Sequence, residues 1–144
     1  MKNKHLKFLK QLVETPSPTG FEEPAASLVR ERLADVADEV ATDTMGSVRA
    51  VLEGRDAGAP SLMLAAHMDE IGLMVTAVTE DGFLKVTRIG GIRTSTYLGH
   101  KVRVHTAQGV LYGSVAFTTD LAKKTDLHTD DLTVDIGAKD KADA

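Results

Sequence analysis

The chain has 144 residues, enough to bury roughly 70% of the surface its unfolded form exposes and too few for a large two-domain enzyme. With 42% hydrophobic and 26% charged residues it is too apolar to be disordered, and a net charge of -4 with scattered lysines and arginines leaves no electrostatic footprint for nucleic acid. No apolar run reaches the roughly 18 to 20 residues of a membrane span, and Met1-Lys2-Asn3-Lys4-His5 opens an amphipathic pattern, not a signal peptide, so no membrane partner and a cytoplasmic location are expected.

In chain order, Leu6, Leu9 and Val13 recur at helical spacing, with Phe8 and Leu12 alongside, and predict an amphipathic helix that stops before the Pro16-Ser17-Pro18-Thr19-Gly20 loop. Ala25, Leu28, Val29, Leu33 and Val36 predict a second helix; Glu22 and Glu23 suit the positive end of its dipole and Pro24 its first turn. After a Met45-Gly46 turn, Val48, Ala50 and Leu52 alternate with Arg49 and Glu53 as in a half-exposed strand, and Glu53 to Pro60 is a polar, Gly-rich loop. Leu62-Met63-Leu64-Ala65-Ala66 is apolar at every position, as expected of a strand buried on both faces.

Beyond that run the helical period disappears. Leu73 to Val78 and Phe83 to Ile89 flank Glu80-Asp81-Gly82 as a hairpin. Val102 and Val104 lead through Gln108-Gly109 into Val110-Leu111-Tyr112 as another, and a polar loop from Thr118 to Asp131 precedes a strand marked by Leu132, Val134 and Ile136. Lys139 to Ala144 would start a helix. The expected fold is α/β, with helices and strands to residue 69 and a β-rich segment over 70–144.

The chemistry-bearing residues lie at the junction, in Ala65-Ala66-His67-Met68-Asp69-Glu70-Ile71-Gly72. The chain has no cysteine, so a transition metal would need histidine and carboxylate ligands. A histidine at the carboxyl end of a buried strand sits where open α/β sheets place ligands, and Asp69 is close enough to accept its second ring N–H, which fixes the tautomer of a metal-bound imidazole. On spacing alone the other reading stays open, since a lone histidine after an apolar run is more often a hydrogen-bonded structural residue. His5, His100, His105 and His128 read as surface or hairpin-end residues.

Leu64 through Val75 closely resembles the central signature of the glutamyl-aminopeptidase and tetrahedral-aminopeptidase family of two-metal peptidases. Pro16 to Glu22 is similar to the family's opening loop, and Asp43 to Val48 to its Asp-x-x-Gly-Asn-Val turn, with Ser47 where asparagine is usual. Asp81-Gly82-Phe83, Ile89-Gly90-Gly91-Ile92, Gly109 and Asp135-Ile136-Gly137-Ala138 match further markers in order. Between Ser114 and Leu121 the sequence departs from the family's Lys-Pro-Pro-His-like stretch.

The resemblance implies a metalloaminopeptidase that removes residues from the amino termini of peptides with two divalent ions, commonly zinc or cobalt. His67 would ligate one metal and the catalytic-site Asp69 would orient it. It also implies that residues 1–69 are part of a mixed-sheet zinc-peptidase domain, and that 70–144 are a β-rich, barrel-like insertion that forms homo-oligomers, dimers assembling into dodecamers. A zinc site that does chemistry needs about three protein ligands, and the resemblance supplies one, so no tight metal site or turnover is expected of these 144 residues alone. The alternative is a non-catalytic assembly module or an inactive truncated product. A carbohydrate hydrolase fits less well, because there is no tryptophan, aromatics are only 4%, and no pair of carboxylates stands out as acid and nucleophile.

Overall fold

The structure is a computed structural model that describes residues 3–56 and 58–144; Met1 and Lys2 of the amphipathic opening and Ala57 of the polar loop lie outside the described residues. The chain divides into two compact units, Met1–Glu70 and Ile71–Ala144.

In the first unit, helix α1 spans Asn3–Glu14 and α2 spans Glu23–Ala34. Pro24 falls in the first turn of α2, where a missing N–H leaves nothing unpaired. The helix ends before Val36, and its buried positions are Ala25 and Ala26, small residues that let it lie close to its neighbours. It packs against an antiparallel hairpin of β1 (Glu39–Thr42) and β2 (Val48–Val51). Asp43 closes that hairpin: its Oδ1 accepts the backbone N–H groups of Met45 and Ser47, each at 2.9 Å. Gly46, at φ 88°, supplies the left-handed residue the turn needs. These bonds, Ser47's first, hold the Asp43 carboxyl below its usual pKa.

One expectation fails here. Residues 61–69 carry no regular secondary structure and join no ladder, and Leu62, Met63 and Leu64 are 85%, 85% and 89% exposed. A strand is made by its partners, and among the described residues the only pairing near this run is a parallel bridge between Pro18 and Glu70.

The second unit is one antiparallel sheet in the order β3-β4-β7-β6-β5. Strands β3 (Gly72–Val78) and β4 (Leu84–Ile89) form one hairpin, and β5 (Lys101–Thr106) and β6 (Gly109–Val115) form another. The short β7 (Thr133–Asp135) lies between them, paired to β4 on one side and to β6 on the other. Its central Val134 packs with Leu84, Val86, Val115 and Leu132 in the core of the unit, each worth about 1.5–3 kcal/mol of burial if fully removed from water.

Two further expectations are corrected. The stretch from Thr118 to Asp131 is not all loop, since it carries helix α3 (Thr119–Lys123), capped by the Thr118 hydroxyl, and a 3-10 turn at Thr129–Asp131. Lys124 binds both carboxylate oxygens of Asp131 at 2.8 Å and fixes the intervening loop. Lys139 to Ala144 forms turns, not a helix. Asp140 Oδ1 accepts the N–H groups of Ala142 and Asp143, and Asp143 accepts that of Lys139, so side chains take the donors a helix would have used.

Candidate functional site

The site lies wholly in the first unit and is built from two segments about 50 residues apart in sequence. Pro16 and Pro18 bracket Ser17, and a residue before proline is pushed out of the helical region. The loop is therefore extended, and it runs beside residues 68–70 as a parallel pair. The Glu70 N–H donates to the Ser17 carbonyl at 2.8 Å, and the Ser17 N–H donates to Glu70 Oε1 at 2.9 Å. The Ser17 hydroxyl donates to the Met68 carbonyl at 3.0 Å. Ser17 is buried, only 5% exposed, and fully engaged.

That seam presents His67 and Asp69 at its edge. His67 Nδ1 lies 2.9 Å from Asp69 Oδ1 and 3.0 Å from the Asp69 carbonyl. Both neighbours are acceptors, so in the neutral ring Nδ1 carries the hydrogen and Nε2 carries the lone pair. The other carboxylate oxygen, Oδ2, accepts the Thr19 hydroxyl at 2.7 Å. The Thr19 hydroxyl first, and the His67 ring second, hold the Asp69 carboxyl below its usual pKa, so it stays ionised and acceptor-only near neutral pH. The His67 side chain is 86% exposed and that of Asp69 38%, which leaves Nε2 open to a ligand.

A divalent metal is implied by the resemblance, and the residues present match one corner of such a site. One imidazole has its tautomer set by a carboxylate behind it, as metal-binding histidines require. Among the described residues no group of three or more His, Cys, Asp or Glu side chains is arranged to hold an ion. The other histidines do not complete one: His5 Nδ1 lies 3.4 Å from the Arg32 guanidinium, and His105 lies within β5. The sequence reading named His67 and Asp69 but missed Ser17, Thr19 and the inward role of Glu70. The signal available for them was the likeness of Pro16–Glu22 to the family's opening loop.

Residues 46–144 match the M42 glutamyl aminopeptidase family. The chain belongs to that family. The lysyl aminopeptidase of Pyrococcus furiosus is 39% identical to this M42 chain over 145 residues, covering 94% of the chain and 40% of the relative. Among solved structures, the TET aminopeptidase of a Thaumarchaeota archaeon from marine sediment superposes with a TM-score of 0.88 at 32% identity, covering 99% of this chain and 40% of that one. The TET1 peptidase of Pyrococcus horikoshii, described as assembling into a tetrahedron or a large octahedral shell, superposes with a TM-score of 0.79 at 31% identity over 96% of this chain and 42% of its own. This M42 chain thus spans about 40% of the length of the relatives it matches. No helix among its described residues is long and apolar enough to cross a membrane.

Proposed function

We propose that this chain contributes one metal ligand and its orienting carboxylate to a metal-dependent aminopeptidase that acts on the amino termini of peptides. The observation that carries the reading is the bond from His67 Nδ1 to Asp69 Oδ1 with Nε2 left exposed, set within the signature that places the chain among the M42 aminopeptidases. His67 would donate Nε2 to a divalent ion, zinc or cobalt, and Asp69 would hold the ring while remaining unbound itself. Such an ion, when bound, polarises a carbonyl and lowers the pKa of a bound water. The chain's own part is to fix the direction of the imidazole, with Asp69 accepting at Nδ1 and Nε2 left exposed.

The likeness of the chain to the TET aminopeptidase of a Thaumarchaeota archaeon supports reading residues 1–69 as part of a catalytic α/β domain. Residues 70–144 then correspond to a β-rich insertion. Closure of its sheet toward a barrel, and homo-oligomers built through it in the cytoplasm, are part of the same proposal, supported by the assembly described for the TET1 peptidase.

The test is a chimaera in which these residues replace the matching part of the lysyl aminopeptidase of Pyrococcus furiosus, assayed with fluorogenic aminoacyl substrates and added zinc or cobalt. The expected result is metal-dependent turnover that His67→Ala abolishes together with bound metal. Asp69→Asn should keep the fold and lose roughly 10- to 100-fold in affinity or rate. Full metal content and rate in the His67→Ala chimaera would refute the assignment.

A further inference from the structure

We propose that Thr19 is a positioning residue for His67, holding the Asp69 carboxylate where, together with the Asp69 carbonyl, it accepts from Nδ1–H and leaves Nε2 bare. The inference rests on the reading of His67 as a metal ligand and adds a third member to the pair that the sequence spacing singled out.

The geometry is a relay through the two oxygens of one carboxylate. The Thr19 hydroxyl donates to Asp69 Oδ2 at 2.7 Å, and Asp69 Oδ1 accepts from His67 Nδ1 at 2.9 Å. A carboxylate on a short side chain can turn about two bonds, and a single exposed contact to an imidazole does little to stop it. A second bond on the opposite oxygen removes that freedom, because rotation that frees one oxygen breaks the other contact. The carboxylate side chain is about a third exposed, so water competes for both oxygens, and a fixed donor is needed to hold the orientation.

Anchoring of the loop is a different task and is done by other groups. One backbone bond, one bond from the Ser17 N–H to the Glu70 carboxylate and one hydroxyl bond link Ser17 to Met68 and Glu70, and the Pro18–Glu70 bridge lies beside them. Gly20 N–H donates to Glu22 Oε1, and the Phe21 N–H closes a turn onto the Pro18 carbonyl at 2.7 Å. The loop is therefore held on both sides of Thr19 without its side chain. Thr19 itself is exposed, so the hydroxyl is not there to satisfy a buried group. What the hydroxyl touches is the back of the carboxylate that faces His67.

The variants are Thr19→Val, which keeps the branched shape and removes the hydroxyl, and Thr19→Ser, which keeps the hydroxyl. Ring-nitrogen NMR on the metal-free chain reads the tautomer of His67 directly. Wild type and Thr19→Ser should show Nδ1 protonated and Nε2 bare, and Thr19→Val a mixture of tautomers. Zinc titration followed at the same ring should show binding weakened by about 10-fold in Thr19→Val and restored in Thr19→Ser. A tautomer pattern in Thr19→Val identical to wild type would overturn the proposal, because a residue that only braces the loop leaves the ring untouched. The two readings separate cleanly: if the tautomer shifts as expected while zinc never perturbs Nε2 in any variant, Thr19 positions His67 but His67 is not a metal ligand.

Discussion

Replacing Gly113 by alanine should strike the point where the two hairpins of the sheet are joined. Gly113 lies in β6 opposite Val102, one residue before Ser114 pairs with Asp135. A methyl group there would sit 2.7 Å from the Asp135 carbonyl oxygen, 2.8 Å from Val134 Cγ1 and 3.1 Å from Ile136 Cγ2. Two of these contacts are closer than side chains tolerate, and the nearest is backbone, which cannot swing aside without opening the β6–β7 ladder. Overpacking of this kind costs about 1–3 kcal/mol. The lost freedom of the unfolded glycine offsets about 0.4–1 kcal/mol of it, so a net loss of about 1–2 kcal/mol follows. For a unit the size of residues 71–144, at 4–8 °C per kcal/mol, the melting temperature should fall by roughly 5–15 °C. Thermal unfolding followed by circular dichroism is the assay, with Gly91→Ala as control, since a methyl there meets nothing within 4 Å and should leave the melting point level or slightly raised. The argument fails if Gly113→Ala melts with the control.

Acid should weaken the same unit through Asp131, whose carboxyl is held below its usual pKa first by the Lys124 ammonium and then by the His128 N–H. A carboxyl depressed in the folded state stabilises above its unfolded pKa and loses that contribution as pH falls through the folded value, so a pH–stability profile should drop on the acid side and Asp131→Asn should flatten that limb. Lys124 is raised by the same bond, and its contribution should persist to alkaline pH and disappear only as pH rises through its folded pKa; a profile unchanged by Asp131→Asn at both ends would show that the strap is idle. The exposed Leu62-Met63-Leu64 run should drive concentration-dependent association, because contiguous apolar surface with open backbone edges recruits other chains. Light scattering on Leu62→Lys/Leu64→Lys should show less association than the parent, and equal association in both would assign it to another surface.

Much of the sheet was legible because its signals are local. The runs Leu73 to Val78 and Phe83 to Ile89 about the Asp81-Gly82 turn gave one hairpin with bounds within a residue of the structure, and Val102 and Val104 leading through Gln108-Gly109 into Val110-Leu111-Tyr112 gave the other, whose second strand continues to Val115. The insertion of β7 between them was not legible, since no local pattern says which edges a three-residue strand will join. Strand β1 was missed for a related reason: Glu39-Val40-Ala41-Thr42 has little alternation and is a strand because β2 lies beside it. The opposite error occurred at Leu62–Ala66, where an apolar run states the environment those residues require, not that a partner strand is present to supply it. At the site, His67 and Asp69 were readable because they lie only two positions apart in the sequence. Thr19 bonds Asp69 across 50 residues of sequence, and nothing in the spacing of either segment points to the other.

The central claim is that His67 is a metal ligand held by Asp69, and zinc titration of the chain, followed at the ring nitrogens of all five histidines, tests it most directly. The account expects His67 Nε2 to respond first, at an affinity well short of tight stoichiometric binding because no group of three ligands exists among the described residues, and His67→Ala to erase the response. Zinc that leaves His67 unperturbed while binding at another histidine would contradict the ligand assignment.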